Sequence, residues 1–116
     1  MVLGVCPVTV AGRDLLASAG ADGTVRIWDP VTGEQRAILE GQQGELRAVC
    51  PVTVAGQELL ASASDDGTVQ IWDPVTRACL VTVPTYHSAL AVAYVDESLA
   101  IGLAAGILMV KPTTAL

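Results

Sequence analysis

The chain has 116 residues, room for one domain and too few for two large ones. Its apolar half (52%) is rich in Val, Ala and Leu, with two Trp, two Tyr and no Phe, which suits sheets packed on sheets. A net charge of −6 with six unclustered basic residues would repel a phosphate backbone or an anionic lipid surface, so nucleic acid is excluded as an expected ligand.

Met1 to Cys6 has the outline of a lipoprotein signal, but it lacks a basic start and Val5 is too bulky before the cysteine. It is also shorter than the apolar run of a secretory signal. From Val5 the sequence repeats itself. Val5–Thr32 and Val49–Thr76, 44 positions apart, differ only at Arg13/Gln57, Asp14/Glu58, Gly20/Ser64, Ala21/Asp65 and Arg26/Gln70. A repeat of this length points to stacked units, each unable to bury its faces alone. Cys6 and Cys50 share one place in the two copies and read as small core residues. Cys79 makes an odd total with no closely spaced pair, which argues against a disulfide framework and for a reducing, cytoplasmic setting.

Within the second copy four short β-branched runs are predicted as strands: 46–52, 58–63, 68–72 and 78–83. Turn residues separate them at Ala55-Gly56, Asp66-Gly67 and Asp73-Pro74. Asp-Gly between strands predicts a tight two-residue hairpin, glycine accepting the positive φ. Four strands in 44 residues describe one antiparallel meander, the blade of a propeller. Further on, Ala89 to Val110 is apolar enough to suggest a membrane span. Asp96 and Glu97 split it, however, leaving Ser98–Val110 short of the ~20 residues a spanning helix needs. A diverged third copy explains it better. Leu90-Ala91-Val92-Ala93 is laid over Leu46-Arg47-Ala48-Val49, and Leu99-Ala100 and Gly106 over Leu60-Ala61 and Gly67. Five residues are then missing around Val95–Glu97.

The stretch Leu60-Ala61-Ser62-Ala63-Ser64-Asp65-Asp66-Gly67-Thr68-Val69-Gln70-Ile71-Trp72-Asp73 resembles the signature of the WD-repeat β-propellers, and Leu16–Asp29 carries the same pattern. The resemblance spans essentially the whole chain and has the style of propellers appended to bacterial signalling proteins. It implies an all-β fold of antiparallel four-stranded blades, here an incomplete arc of about three: 1–44, 45–88 and a degenerate 89–116. It further implies that a hydrogen-bonded set ties each blade together, falling on Trp28, Ser18 and Asp22 and on Trp72, Ser62 and Asp66. A buried indole N–H needs an acceptor, and such a network outweighs its separate bonds. The family's histidine falls at Gln42, whose amide has other geometry, and next at Tyr86, with His87 one residue late. In the third copy Lys111 stands at the Trp position and Ala105 at the Asp position, so apolar packing alone is expected there.

Propellers close with four to eight blades, so an arc leaves two apolar faces and an unpaired edge. The expected partners are a protein ligand and further propeller blades, supplied by a longer polypeptide or by copies of this chain closing the ring. A truncated remnant is the third option. The diverged ending reads as a natural terminus and Met1 enters abruptly at a first strand, which favours a C-terminal piece or an oligomerising arc.

Sites for chemistry are scarce. Asp22, Asp65 and Asp66 precede or flank turn glycines and read as turn formers; calcium would need further oxygen ligands. His87 is the only histidine, too little for zinc or a Ser-His-Asp set. Gly41-Gln42-Gln43-Gly44 lacks the Lys of a phosphate loop. No cofactor, metal or catalytic residue is expected, so the reading is a non-catalytic interaction scaffold. Its alternative is a sensor or regulatory C-terminal sector of a larger bacterial signalling or effector protein. Arg26 and Gln70 are expected to reach for water, and Asp29 and Asp73 to open the turn to the outer strand. The candidate binding rim comprises Ala21, Gln42, Gln43, Glu45, Asp65, Tyr86 and His87, where four of the five copy differences lie at or beside loops.

Overall fold

The computed structural model describes residues 1–104 and 106–111. Eleven strands run in chain order: β1 (Val2–Val10), β2 (Arg13–Gly20), β3 (Val25–Trp28), β4 (Gln35–Leu39), β5 (Leu46–Val54), β6 (Gln57–Ser64), β7 (Thr68–Asp73), β8 (Ala78–Pro84), β9 (Ala89–Val95), β10 (Ser98–Leu103) and β11 (Gly106–Val110). They form three antiparallel meanders, β1-β2-β3-β4, β5-β6-β7-β8 and β9-β10-β11. This is the all-β arc of incomplete propeller blades. No helix among the described residues is long and apolar enough to cross a membrane.

Tight two-residue turns do occur, but at Ala-Gly rather than Asp-Gly. Val10 pairs with Arg13 and Val54 with Gln57 across Ala11-Gly12 and Ala55-Gly56. All four turn residues have positive φ, between 50° and 78°, as the twist of a tight hairpin requires. Asp-Gly instead closes a longer loop. Gly67 N–H bonds Ser64 O (3.3 Å) in a four-residue turn, of which Gly67 itself (φ 83°) is the left-handed last residue. The Asp66 carboxylate takes the Thr68 N–H (2.9 Å), which a two-residue turn would leave no room for.

The third sheet departs from the expected alignment in a definable way. A bulge skips Arg47 between Leu46 and Ala48 in β5, and its counterpart in β9 skips Leu90 between Ala89 and Ala91. Ala89 thus takes the place of Leu46, one residue earlier than the sequence comparison laid it, and exposed Leu90 takes that of Arg47. β9 and β10 have 7 and 6 residues where β5 and β6 have 9 and 8, so the hairpin has lost four residues and the loop after it one. Asp96-Glu97 make its turn, with φ of 49° and 63°. Val110 pairs with Leu99 as Trp72 pairs with Leu60. Val110, not Lys111, therefore occupies the tryptophan position. Ala105 lies outside the described residues.

The sheets stack through their first strands, β1 beside β5 and β5 beside β9. Each sheet turns a face of small and branched residues to the next, and receives larger ones in return. Ala17, Ala19, Val25 and Ile27 of the first sheet cover Leu46, Leu60 and Trp72 of the second. Ala61, Ala63, Val69 and Ile71 of the second cover Ala89, Leu99 and Ile101 of the third. The near-identity of the copies makes this burial a controlled comparison. Leu60 is fully buried and Val49 6% exposed, whereas Leu16 and Val5, at the same register positions on the uncovered first sheet, are 38% and 66% exposed. The difference lies in the neighbour.

Leu60→Ala should therefore lower unfolding free energy by about 2–5 kcal/mol, as emptying a core site does, while Leu16→Ala should cost less than about 1 kcal/mol. Urea denaturation of the two variants measures both; equal losses would contradict the packing assignment.

Candidate functional site

The polar features converge at one end of the arc, where the β2–β3 and β6–β7 turns meet the loops joining successive sheets. In the second sheet a continuous hydrogen-bonded chain runs through the interior. Trp72 Nε1 donates to Ser62 Oγ (2.9 Å), and Ser62 Oγ to Gln42 Oε1 (2.5 Å). Gln42 Nε2 then donates to the Thr68 carbonyl (3.2 Å) and hydroxyl (3.1 Å), and that hydroxyl to Asp66 Oδ1. Gln42 satisfies both ends of its amide while 6% exposed. The segment between β4 and β5 is thereby fastened to β6 and β7 of the following sheet. Thr68, which sequence reasoning missed, is the link that carries the chain to the turn carboxylate.

The first sheet has both ends of this arrangement without the middle. Trp28 Nε1 donates to Ser18 Oγ (2.8 Å), and Asp22 accepts from Thr24 N (3.1 Å) and Oγ1 (2.8 Å) as Asp66 does from Thr68, with Arg26 added (3.0 Å), but among the described residues no amide joins the two ends. In the third sheet Ile101 pairs with Val92 and stands where Ser62 stands in the second, next to Val110 in the tryptophan place. An apolar pair has replaced donor and acceptor together, which avoids stranding either. Tyr86, the sequence counterpart of Gln42, is 86% exposed; counted back from β9, the place of Gln42 falls on Thr85, which is 4% exposed and bonds the Gly67 and His87 carbonyls.

A family model for the WD domain, G-beta repeat, matches residues 5–29 and 33–73, more than half of the chain. The chain belongs to the WD40 repeat family. The second matched unit starts before β4, in the first sheet, and ends with β7, in the second, so a WD40 sequence unit straddles two sheets and the Gln42 chain lies within it. Among solved structures, a chain of the "Structure of ctPRC2 in complex with H3K27me3 and H3K27M" superposes with a TM-score of 0.82 at 22% identity. The match covers 96% of this chain and 26% of that one. This chain thus spans about a quarter of that chain's length. No curated protein matches the sequence.

Of the WD40 rim residues expected from sequence, the structure removes Gln42 from the surface, since its amide is committed to the interior. Asp65 accepts from Nε (3.0 Å) and Nη2 (2.9 Å) of the Arg47 guanidinium, which also reaches Glu45 (3.2 Å). Arg47 can reach because the β5 bulge turns its side chain outward. Ala21 donates its N–H to Met1 O (2.8 Å). Gln43 and His87 are exposed, and their carbonyls are held by Ser64 Oγ (2.6 Å) and Thr85 Oγ1 (2.6 Å). Ser88 Oγ donates to the Asp65 carbonyl (3.0 Å), tying the junction between β8 and β9 to the β6–β7 turn. Gly23 closes the set on the other side. A Cβ there would lie 2.9 Å from Gln42 O, and its φ is 82°.

Most differences between the copies serve internal contacts. Arg13 and Gln57 both reach the buried carboxylates Asp29 (3.0 Å) and Asp73 (3.1 Å) that cap the β3–β4 and β7–β8 turns. Arg26 bonds Gln35 and Asp22 rather than reaching freely for water, and Gln70 donates to Thr82 while its Oε1 is buried without a partner. At the opposite end a groove of about 440 Å3, lined by Pro7, Thr9, Asp14, Pro51, Glu58 and Tyr94, ends at the Tyr94 hydroxyl on Thr53 O (2.6 Å). Among the described residues no group of His, Cys, Asp or Glu gathers as a metal site. Burial raises the Cys6 and Cys50 thiols to about 11 and 12, which leaves them protonated and unreactive.

Trp72→Ala should cost about 3–5 kcal/mol, because it empties a buried aromatic site, and half-buried Trp28→Ala clearly less. Gln42→Ala should cost about 1–3 kcal/mol by stranding the Ser62 hydroxyl, whereas Tyr86→Ala should leave the melting temperature unchanged. Thermal denaturation of the four variants reads this ranking.

Hydrogen bonds from Thr24, aided by Arg26, hold the Asp22 carboxyl down at about 2; Asp65 is lowered by Arg47 and Asp29 by the Val31 N–H. A carboxylate whose folded value lies below its ordinary one stabilises the fold above that ordinary value, and the contribution fades as pH falls through the folded one. Stability should therefore drop between about pH 4 and pH 2. Asp22→Asn should make that drop shallower in urea midpoints measured across the range.

Proposed function

We propose that this WD40 sector is a non-catalytic module that presents its loop end to a protein partner. The observation that carries the reading is Tyr86. It stands 86% exposed on the junction between β8 and β9 with φ at +63°, a conformation rarely adopted by a bulky side chain. An aromatic ring held in strain and projected into water is the type of residue that anchors protein interfaces. Beside it lie exposed His87 and Ser88, with Gln43 on the neighbouring junction, all set on loops that the Gln42, Ser64 and Thr85 hydrogen bonds immobilise. Rigid loops lose little entropy when a partner binds.

The reading includes a cytoplasmic setting, in keeping with three free cysteines, and no role for nucleic acid or membrane, in keeping with the −6 charge. A photo-crosslinking residue at position 86 or 43 should capture one and the same protein, while the same residue at Val31, in the β3–β4 turn at the far end, should not. Equal capture from Val31 and Tyr86 would contradict the assignment.

A further inference from the structure

The first and third sheets each have a face that no sheet of the chain covers, and the register allows both to be compared with their covered counterparts. The open face of the first sheet carries Val2, Val5, Leu16, Ser18 and Trp28. The second sheet carries Leu46, Val49, Leu60, Ser62 and Trp72 at the same register positions, and there the first sheet seals them. The surface that does the sealing is built on Ala17, Ala19, Val25 and Ile27, and its copy on Ala61, Ala63, Val69 and Ile71.

The open face of the third sheet continues that series. Ala100 pairs with Met109 as Ala61 pairs with Ile71, and Gly102 pairs with Ile107 as Ala63 pairs with Val69. Ala91, Val92, Ala93, Ala100, Gly102 and Ile107 line a shallow apolar hollow of about 200 Å3, and Ile107 and Met109 are 74% and 57% exposed. The chain thus carries an uncovered acceptor face on its first sheet and an uncovered donor face on its third, each patterned like a face that is already mated within it. The third sheet's lack of a fourth strand among its described residues is no obstacle. The established interfaces are made mainly by the first three strands of each sheet, with only Leu39 of β4 fully buried in the first. Charge is compatible too, since Arg26 at the edge of the acceptor face is already paired with Asp22 and the donor face is apolar.

We propose that two copies of this chain associate head to tail, the donor face of each third sheet covering the acceptor face of the partner's first sheet. Two copies of three sheets give a closed ring of six, within the span in which propellers close. The inference rests on the propeller-sector reading but not on the rim, because neither face includes Tyr86, Gln43 or His87.

Light scattering should give twice the 11.9 kDa chain mass. A monomer at concentrations of about 100 μM, or an open ladder of larger masses, would overturn the closed pair. Val5→Asp and Ile107→Asp change side chains that are exposed in the single chain, so each variant should keep its β-sheet circular dichroism and become monomeric. An equimolar mixture of the two retains one unaltered contact and should regain mass above that of the monomer. A dimer that survives either substitution, or a mixture that stays monomeric, would contradict head-to-tail pairing. Photo-crosslinking from Tyr86 in the monomeric variants reads the rim separately, so loss of one reading is distinguishable from loss of the other.

Discussion

Trp72 and Trp28 are the same residue at the same register position, bonded to the same hydroxyl, yet one is sealed and the other half open. What separates them is whether a neighbouring sheet lies across them. Every other feature of the molecule answers to that constraint. A four-stranded meander has two apolar faces and no means of covering either by itself, so the folding unit is the contact between sheets rather than the sheet. The alternation of a small-residue face with a large-residue face makes the contact directional: the Ala17/Ala19 side always meets the Leu60/Trp72 side. Directionality is what turns a stack of similar units into an arc with two distinguishable ends.

Such packing leaves sliding between sheets weakly resisted, because alanine and valine surfaces offer little relief. The Gln42 chain supplies the missing specificity. It starts on a tryptophan in one strand, passes through the linker from the preceding sheet and ends at the carboxylate of a turn, so displacement of either sheet strands several buried polar groups at once. In the third sheet both of its inner members are absent together: Ile101 and Val110 stand in for Ser62 and Trp72, and Tyr86 is exposed. That coordinated replacement makes the third sheet a different solution to the same packing problem.

The repeat and the meander are legible in the sequence because identity between copies and β-branched runs between glycines encode them locally, whereas the tryptophan–serine bonds follow only from the resemblance to WD repeats. The misreadings have local causes as well. Spacing predicts a two-residue turn at Asp-Gly because it does not reveal that the Asp66 side chain captures Thr68, on which glycine's position within the loop depends. The third copy was laid one residue out because a β-bulge consumes a residue without changing the pattern of apolar types around it, and Leu90 resembles Leu46 more than Ala89 does. Gln42 was placed both in the network and on the rim. Only the geometry of its amide, with oxygen toward Ser62 and nitrogen toward Thr68, decides between them.

The differences between the copies follow the same logic. Arg47 has a partner at Asp65, while the counterpart positions in and before the first copy hold the uncharged Ala21 and Leu3, so charge and its absence change together. Arg13 and Gln57 keep a donor aimed at the turn carboxylate while exchanging an ion pair for a neutral hydrogen bond. Loop variation here therefore conserves the interior contacts of each turn, which is why it gives no measure of partner selection. The residues whose exposure the fold does not require are a tyrosine in a strained backbone conformation, with a histidine beside it, on a junction where Thr85 rather than the tyrosine is buried.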